Sequence, residues 1–290
     1  MARTRELALP WRQQPQEAVR PAEQYADMHA AFIGGQTALV GAAGGVWTPE
    51  GTPVAGVSPF GRTTSAPSYA TAGRWLAPQI PAGGMSTWPG ITVVVALRAA
   101  DLADGDYPAA VSILPVGAGQ YYGCVNLTVE RPGVRSIYWR VGDSPTNLTP
   151  TVYGSVPGAD EWTPGDELVI VARWDKLTSR IAVRRNGAVR RNSAGHSYDW
   201  QSVAQEVAVG GYVRSGYRMS EHQIALAAIV MRDVGADAEA ELLGNPWGLF
   251  APRRIRGPVS AAGGLPDITA LYAESPLSDR VSYRATLNYA

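Results

Sequence analysis

The chain predicts an antiparallel all-β sandwich. Three observations carry that expectation. About ten short β-rich runs recur at strand length, turn residues close nearly every one of them, and no crossover helix stands between consecutive runs. Among 290 residues there are 32 Gly and 22 Pro, with 9 Trp and 13 Tyr against 3 Phe, a mixture suited to short strands joined by many turns.

Residues 1–45 lack a sustained period and read as an N-terminal arm, within which 21–33 (PAEQYADMHAAFI) is expected to form a short helix with Tyr25, Met28, Ala31 and Phe32 on one side. From 46 to 86 turn signals crowd together, leaving short extended pieces such as Trp75–Leu76. ITVVVALRA at 91–99 is apolar on both alternating sets, so both of its faces should be covered. Further strands are expected at 109–117, 121–131 and 134–142; in the last, Val134, Ser136, Tyr138 and Arg140 share one face and Ile137, Trp139 and Val141 the other. The runs at 167–175 and 179–193 form the clearest hairpin, with Asn186-Gly187 as a type I′ turn. Two more strands are expected at 206–214 and 222–234, then a short helix at 235–243 stopped by Gly244-Asn245-Pro246. Residues 245–290 read as a β-rich docking tail, with Val281, Tyr283 and Leu287 on one face of a final strand.

Composition excludes several function classes. Lys plus Arg and Asp plus Glu both number 25, which argues against a nucleic-acid partner, since that role needs a basic excess. The single Cys124 forbids an internal disulfide and a Cys-built zinc site. Apolar runs are too short to span a bilayer, and the charged N-terminus is not a secretory signal. Of the basic residues only Lys176 is lysine; this Arg excess is read as base composition of a GC-rich genome.

The run ELVIVARWDKLTSRIAVRRNGAVRR at 167–191 resembles the strand-hairpin signature of laminin-G-like, concanavalin A-like jelly-roll domains, and the two strands and short helix after it are similar to that family's last strands and small terminal helix. The resemblance covers roughly 46–244. The segment NPWGLFAPRR at 245–254 resembles a tailpiece of structural proteins of tailed bacteriophages, and LPWRQQPQ near the start is similar to their N-terminal arm. Together these imply a non-enzymatic virion protein on the head or tail, made in the host bacterial cytoplasm. Its fold would be a jelly roll with extended arms that dock to other virion proteins, and a homo-oligomer is expected. Docking is expected to use Trp11, Trp247, Phe250, Arg253, Arg254, Arg256, Val281, Tyr283 and Leu287. The alternatives are a lectin-like adhesin for host-surface glycans and, behind it, a polysaccharide hydrolase.

Little else in the sequence points to catalysis. Asp160-Glu161 and Asp166-Glu167 are adjacent pairs that face opposite ways if extended, unlike the same-face pair a retaining glycosidase needs, and solvated turn or edge positions explain them. His29, His196 and His222 show no ligand spacing and are expected to be surface or loop histidines. The loop at 117–123 misses the dinucleotide spacing and leads into a strand. No cofactor is expected, although the family resemblance allows a structural Ca²⁺ at Asp143 or Asp175. Trp139, Tyr138, Trp162, Trp174, Tyr198, Trp200, Tyr212 and Tyr217 could offer sugar-stacking faces, with about half of them filling the core. The sequon matches at Asn126 and Asn147 are taken as chance.

Overall fold

A computed structural model describes residues 4–9, 19–34, 36, 38–50, 54–57, 63–66, 74–102, 108–116, 125–131, 134–142, 151–152, 161–195, 202–211, 222–251 and 253–258. The chain divides into two compact units, Leu9–Arg253 and a small one joining Met1–Ala8 to Arg254–Ala290. In the small unit, β1 (Thr4–Leu9) pairs with a late strand, Arg253–Pro258.

The large unit is an all-β antiparallel jelly-roll sandwich. Its strands are β2 (Met28–Ile33), β3 (Thr48–Glu50), β4 (Val54–Val57), β5 (Thr63–Ala66), β6 (Arg74–Leu76), β7 (Ile91–Arg98), β8 (Ala109–Pro115) and β9 (Val125–Glu130). Then come β10 (Ser136–Val141), β11 (Thr151–Val152), β12 (Glu167–Trp174), β13 (Thr178–Arg185), β14 (Ala188–Gly195), β15 (Gln205–Val209) and β16 (Gln223–Val230); the late strand of the small unit is β17. A seven-stranded sheet runs β11-β10-β9-β8-β15-β6-β3, and an eight-stranded sheet runs β14-β13-β12-β7-β16-β5-β4 with β2 also on β16.

The alternation read at 134–142 decides which side chains enter the core. Ile137, Trp139 and Val141 pack between the sheets with Val125, Leu127, Val129, Val207 and Val209, all essentially solvent-free. From the other sheet, Ile91, Val93, Val95, Leu97, Leu168, Ile170, Ala172, Trp174, Ile181 and Val183 close the same core. At about 25 cal/mol per Å² of apolar surface removed from water, this layer is the main cohesive term of the fold.

The continuous apolar run of β7 has the double coverage its sequence requires. Val94 and Ala96 point away from the main core into a second one, with Val169, Val171, Leu226 and Ala228. The lid over them is α1 (Gly235–Gly244) with Leu242 and Leu243, the turn Pro246–Leu249 with Trp247, and the segment at 19–25 with Tyr25. Helix α1 opens on Gly235 at φ +85° and stops before Pro246, matching the expected span to within a residue. The β13-β14 hairpin turns at Asn186 (φ 49°) and Gly187 (φ 83°), the two positive φ values a type I′ turn demands.

Two expectations change here. Residues 28–33 are a strand, not part of a helix: β2 pairs antiparallel with Leu226–Val230 of β16, and every one of its residues is buried. The sandwich therefore draws on residues assigned to the N-terminal arm, because the edge of β16 would otherwise leave its amides and carbonyls unpaired. Past the expected boundary at 244, Trp247 (7% exposed) and Phe250 (4% exposed) lie in the second core, so their apolar surface is already covered by their own chain and not offered to a partner.

Candidate functional site

On the second face of the seven-stranded sheet, β9 and β10 form a polar strip beside an apolar cluster of Ala109, Leu114 and Ala208. Because side chains alternate, β10 sends Ser136, Tyr138 and Arg140 to the face opposite Trp139, and β9 sends Asn126, Thr128 and Glu130 there. The register places Glu130 opposite Ser136, Thr128 opposite Tyr138 and Asn126 opposite Arg140, and Ser112 of β8 lies opposite Asn126 on the other side. Asn126, Thr128, Glu130, Ser112 and Ser136 are buried, while Tyr138 and Arg140 are half-buried at the rim.

One long side chain spans this face. Arg140 and Glu130 are four residues out of step across the β9-β10 pair, about 13 Å along the strands at 3.3 Å per residue. Arg140 covers that offset by lying over the Tyr138 ring, 4.6 Å from its centroid, with Nη2 reaching Glu130 Oε1 at 3.1 Å. Burial pushes the Glu130 carboxyl up, against the pull of Arg140 and Thr128, so burial dominates. Its second oxygen, Oε2, is enclosed and accepts no hydrogen bond among the described residues. An unsatisfied buried oxygen of this kind costs about 1–3 kcal/mol.

A second polar cluster lies on the outer face of the eight-stranded sheet. Register puts Arg173, Arg180 and Ser193 in one cross-strand row and Val171, Ala182 and Arg191 in the next. The counter-charges come from elsewhere in the chain. Glu239 of α1 accepts from Arg173 Nε at 2.8 Å and from Arg191 Nε at 2.8 Å; Asp233 accepts from Arg173 Nη1 at 2.5 Å and Arg180 Nη1 at 3.1 Å; Asp175 accepts from Arg180 Nη1 at 2.7 Å. Burial pulls the Arg173 guanidinium down, but its bonds to Asp233 and Glu239 together outweigh burial and hold it up. Sequence reading missed this lattice by giving the Arg excess a compositional explanation. The signal available was Arg173, Arg180 and Arg191 on one face of the hairpin region, with Glu239 on the helix expected at 235–243.

The remaining expected site residues are placed elsewhere. Asp175 is a turn acceptor: Oδ1 takes the amides of Leu177 and Thr178 at 3.0 and 2.7 Å and Oδ2 takes Arg180 at 2.7 Å. Among the described residues no group of three or more His, Cys, Asp or Glu side chains gathers to hold a metal. Arg253, Arg254 and Arg256 lie on β17. Trp11, Asp143, Val281, Tyr283 and Leu287 lie outside the described residues, as do Cys124, His196, Asn147, Tyr198, Trp200, Tyr212 and Tyr217.

Corrections arise at the carboxylates and histidines. Glu161 is 3% exposed and takes Arg190 at 3.3 Å; Asp166 takes the Thr163 amide at 2.6 Å and Arg185 Nε at 2.6 Å. These are interior brackets of the β13-β14 hairpin, not solvated edges. His222 is fully buried: Nδ1 accepts from the Ala100 amide and Nε2 donates to the Val129 carbonyl, both at 2.9 Å, which joins the end of β7 to β9 in the opposite sheet. His29 is buried against Trp88 at a ring distance of 5.3 Å. Burial pushes both imidazoles down to about 4. Trp139, Trp162 and Trp174 fill the core.

The fold defines the protein as an all-β jelly-roll sandwich with a polar strip on the second face of its seven-stranded sheet. No family model matches the chain, and no curated protein sequence does. Among solved structures it is similar to the enzymatically active domain of tailspike protein 2 from bacteriophage CBA120, with 13% identity and a TM-score of 0.50 over 74% of this chain and 31% of that one. It is also similar to domain 4 of AbnA, an extracellular GH43 arabinanase of Geobacillus stearothermophilus solved with arabinotriose, with 12% identity and a TM-score of 0.51 over 76% of this chain and 99% of that one. At these identities the likeness is one of fold, and the chain spans under a third of the tailspike domain's length.

Proposed function

We propose that this chain is a non-enzymatic structural component of a tailed-phage particle whose sandwich body contacts saccharide through the polar face of its seven-stranded sheet. The observation that carries the reading is the half-buried Arg140 laid over Tyr138 and onto Glu130, whose Oε2 has no partner among the described residues: a ligand hydroxyl that displaces the Arg140 cover would satisfy that oxygen. A fold likeness to a phage tailspike domain and to a whole domain solved with a bound trisaccharide supports the phage-particle and saccharide parts of the proposal.

Carboxylate geometry among the described residues supports a binding role over hydrolysis. Glu206 of β15 is the next described carboxylate across this face; it pairs with Leu114, one residue beyond the Ile113–Val125 pair and so about six residues along the strands from Glu130. That separation is about 20 Å along the strands, whereas glycosidase pairs stand roughly 5–10 Å apart.

A glycan array with the full chain tests binding, followed by titration of arabinotriose and of any array hit. Saturable binding that Arg140→Ala and Glu130→Gln weaken, without release of reducing sugar, is the expected result. Array silence removes the saccharide role, and sugar release reinstates hydrolysis. Mass spectrometry and immunogold labelling of purified particles test the virion role, which absence from mature particles would end.

A further inference from the structure

A cavity of about 500 Å³ opens on the sheet opposite the proposed saccharide face, lined by Arg173, Arg180, Arg191, Ser193, Glu239 and Ala236 among others. We infer that this cavity binds an oxoanion, the carboxylate of an acidic sugar or a phosphate group. Three features argue for it, and none depends on the saccharide reading above.

The first is donor supply. Among the described residues Arg180 bonds only through Nη1 and Arg191 only through Nε, which leaves Arg180 Nε and Nη2 and both terminal nitrogens of Arg191 as donors. Their side chains are 31% and 54% exposed, so these groups are open to solvent. The second is preorganisation. Asp175 and Asp233 hold Arg180, and Glu239 holds Arg191, so the two guanidinium planes are already oriented and a ligand orders little on arrival. Planar forks are the geometry that meets carboxylate or phosphate oxygens two at a time. The third is the first turn of α1, which contributes Ala236 to the wall. Val234 at the N-cap gives no side-chain cap; its own amide goes to Thr92 Oγ1 at 3.1 Å and the Gly235 amide to Asp233 Oδ1 at 2.8 Å, and no side chain among the described residues takes the Ala236 amide. The positive end of the helix therefore faces the same space.

The lattice beneath is balanced, three arginines against Asp175, Asp233 and Glu239, so the pocket carries no surplus charge to attract anions indiscriminately. Selection rests on the fork geometry.

The test is an amide-resolved titration of the full chain with D-glucuronate, inorganic phosphate and D-glucose. Glucuronate or phosphate should shift the Ser193 and Ala236 amides saturably, and glucose should not. Arg191→Gln removes an outer donor and leaves Glu239 paired with Arg173, so the fold holds and affinity drops roughly tenfold, the scale of one lost charge-assisted contact. Ser193→Ala serves as a milder second variant. Preference for glucuronate assigns an acidic saccharide, and preference for phosphate assigns a phosphate ester. Absence of saturable shifts with either anion, or shifts unchanged in Arg191→Gln, overturns the inference.

Discussion

Acidification should loosen the joint between the two sheets at His222. The imidazole is neutral in the folded protein because it must accept at Nδ1 while Nε2 donates, and burial holds its pKa at about 4 against an ordinary 6.5. Between those values the unfolded chain binds a proton that the folded chain refuses, so stability falls as pH drops below 6.5 and levels off below 4. Holding the proton off from 6.5 down to about 4 corresponds to about 3 kcal/mol in total, of which about 2 kcal/mol is already lost at pH 5. Urea unfolding of the wild type and of His222→Gln at pH 7 and pH 5 isolates the group, because His29 and the carboxylates titrate in both. The wild type should lose about 2 kcal/mol more than the variant over that interval. Should His222→Gln fail to fold, the ring Cε1 proton of the wild type gives the midpoint directly. A midpoint near 6.5, or parallel losses in the two proteins, refutes the argument.

The same geometry fixes other outcomes. Gly187→Val should cost about 1–3 kcal/mol through backbone strain alone, since its φ is +83° and a Cβ there meets nothing within 4 Å; an unchanged melting temperature would count against the turn. Gly90→Ala should be worse, because its Cβ would stand 2.4 Å from the Trp174 carbonyl oxygen, and thermal melts of the two variants rank them. Glu239→Ala takes away one of the two carboxylates that hold the buried Arg173, leaving Asp233, and should cost about 1–3 kcal/mol, whereas Arg173→Met combined with Glu239→Leu should recover most of it by chemical denaturation. Deleting 253–290 removes β17 and so unpairs β1, and should leave the 19–251 melt intact while abolishing incorporation into particles; normal copy number would place docking elsewhere.

What the sequence disclosed was set by range. The β12-β13-β14 run and its Asn186-Gly187 turn were readable because alternation and turn chemistry are local, and the double apolar pattern of β7 announced two covered faces. MHAAFI in β2 was not readable, since a six-residue apolar run fits a helix or a strand, and its partner on β16 lies about 200 residues away. The same limit hid the site. Tyr138 and Arg140 were placed on one face correctly, but the reach to Glu130 depends on the β9-β10 register and on the flexibility of one arginine. The lattice around Glu239 joins β12, β13, β14 and α1, a meeting no single window of sequence contains.

The pairing of β2 with β16 also orders events during synthesis. At roughly 5–20 residues per second, the ribosome needs on the order of 10–40 seconds to make the 200 residues between them. Through that interval Met28–Ile33 has no strand to complete it, and its six apolar residues are buried only once Leu226–Val230 has emerged. The β12-β13-β14 hairpins can form as they are made, but the sandwich closes from its last body strand back to its first. The need to shield the nascent N-terminus until then is therefore built into the strand order rather than into any surface of the finished protein.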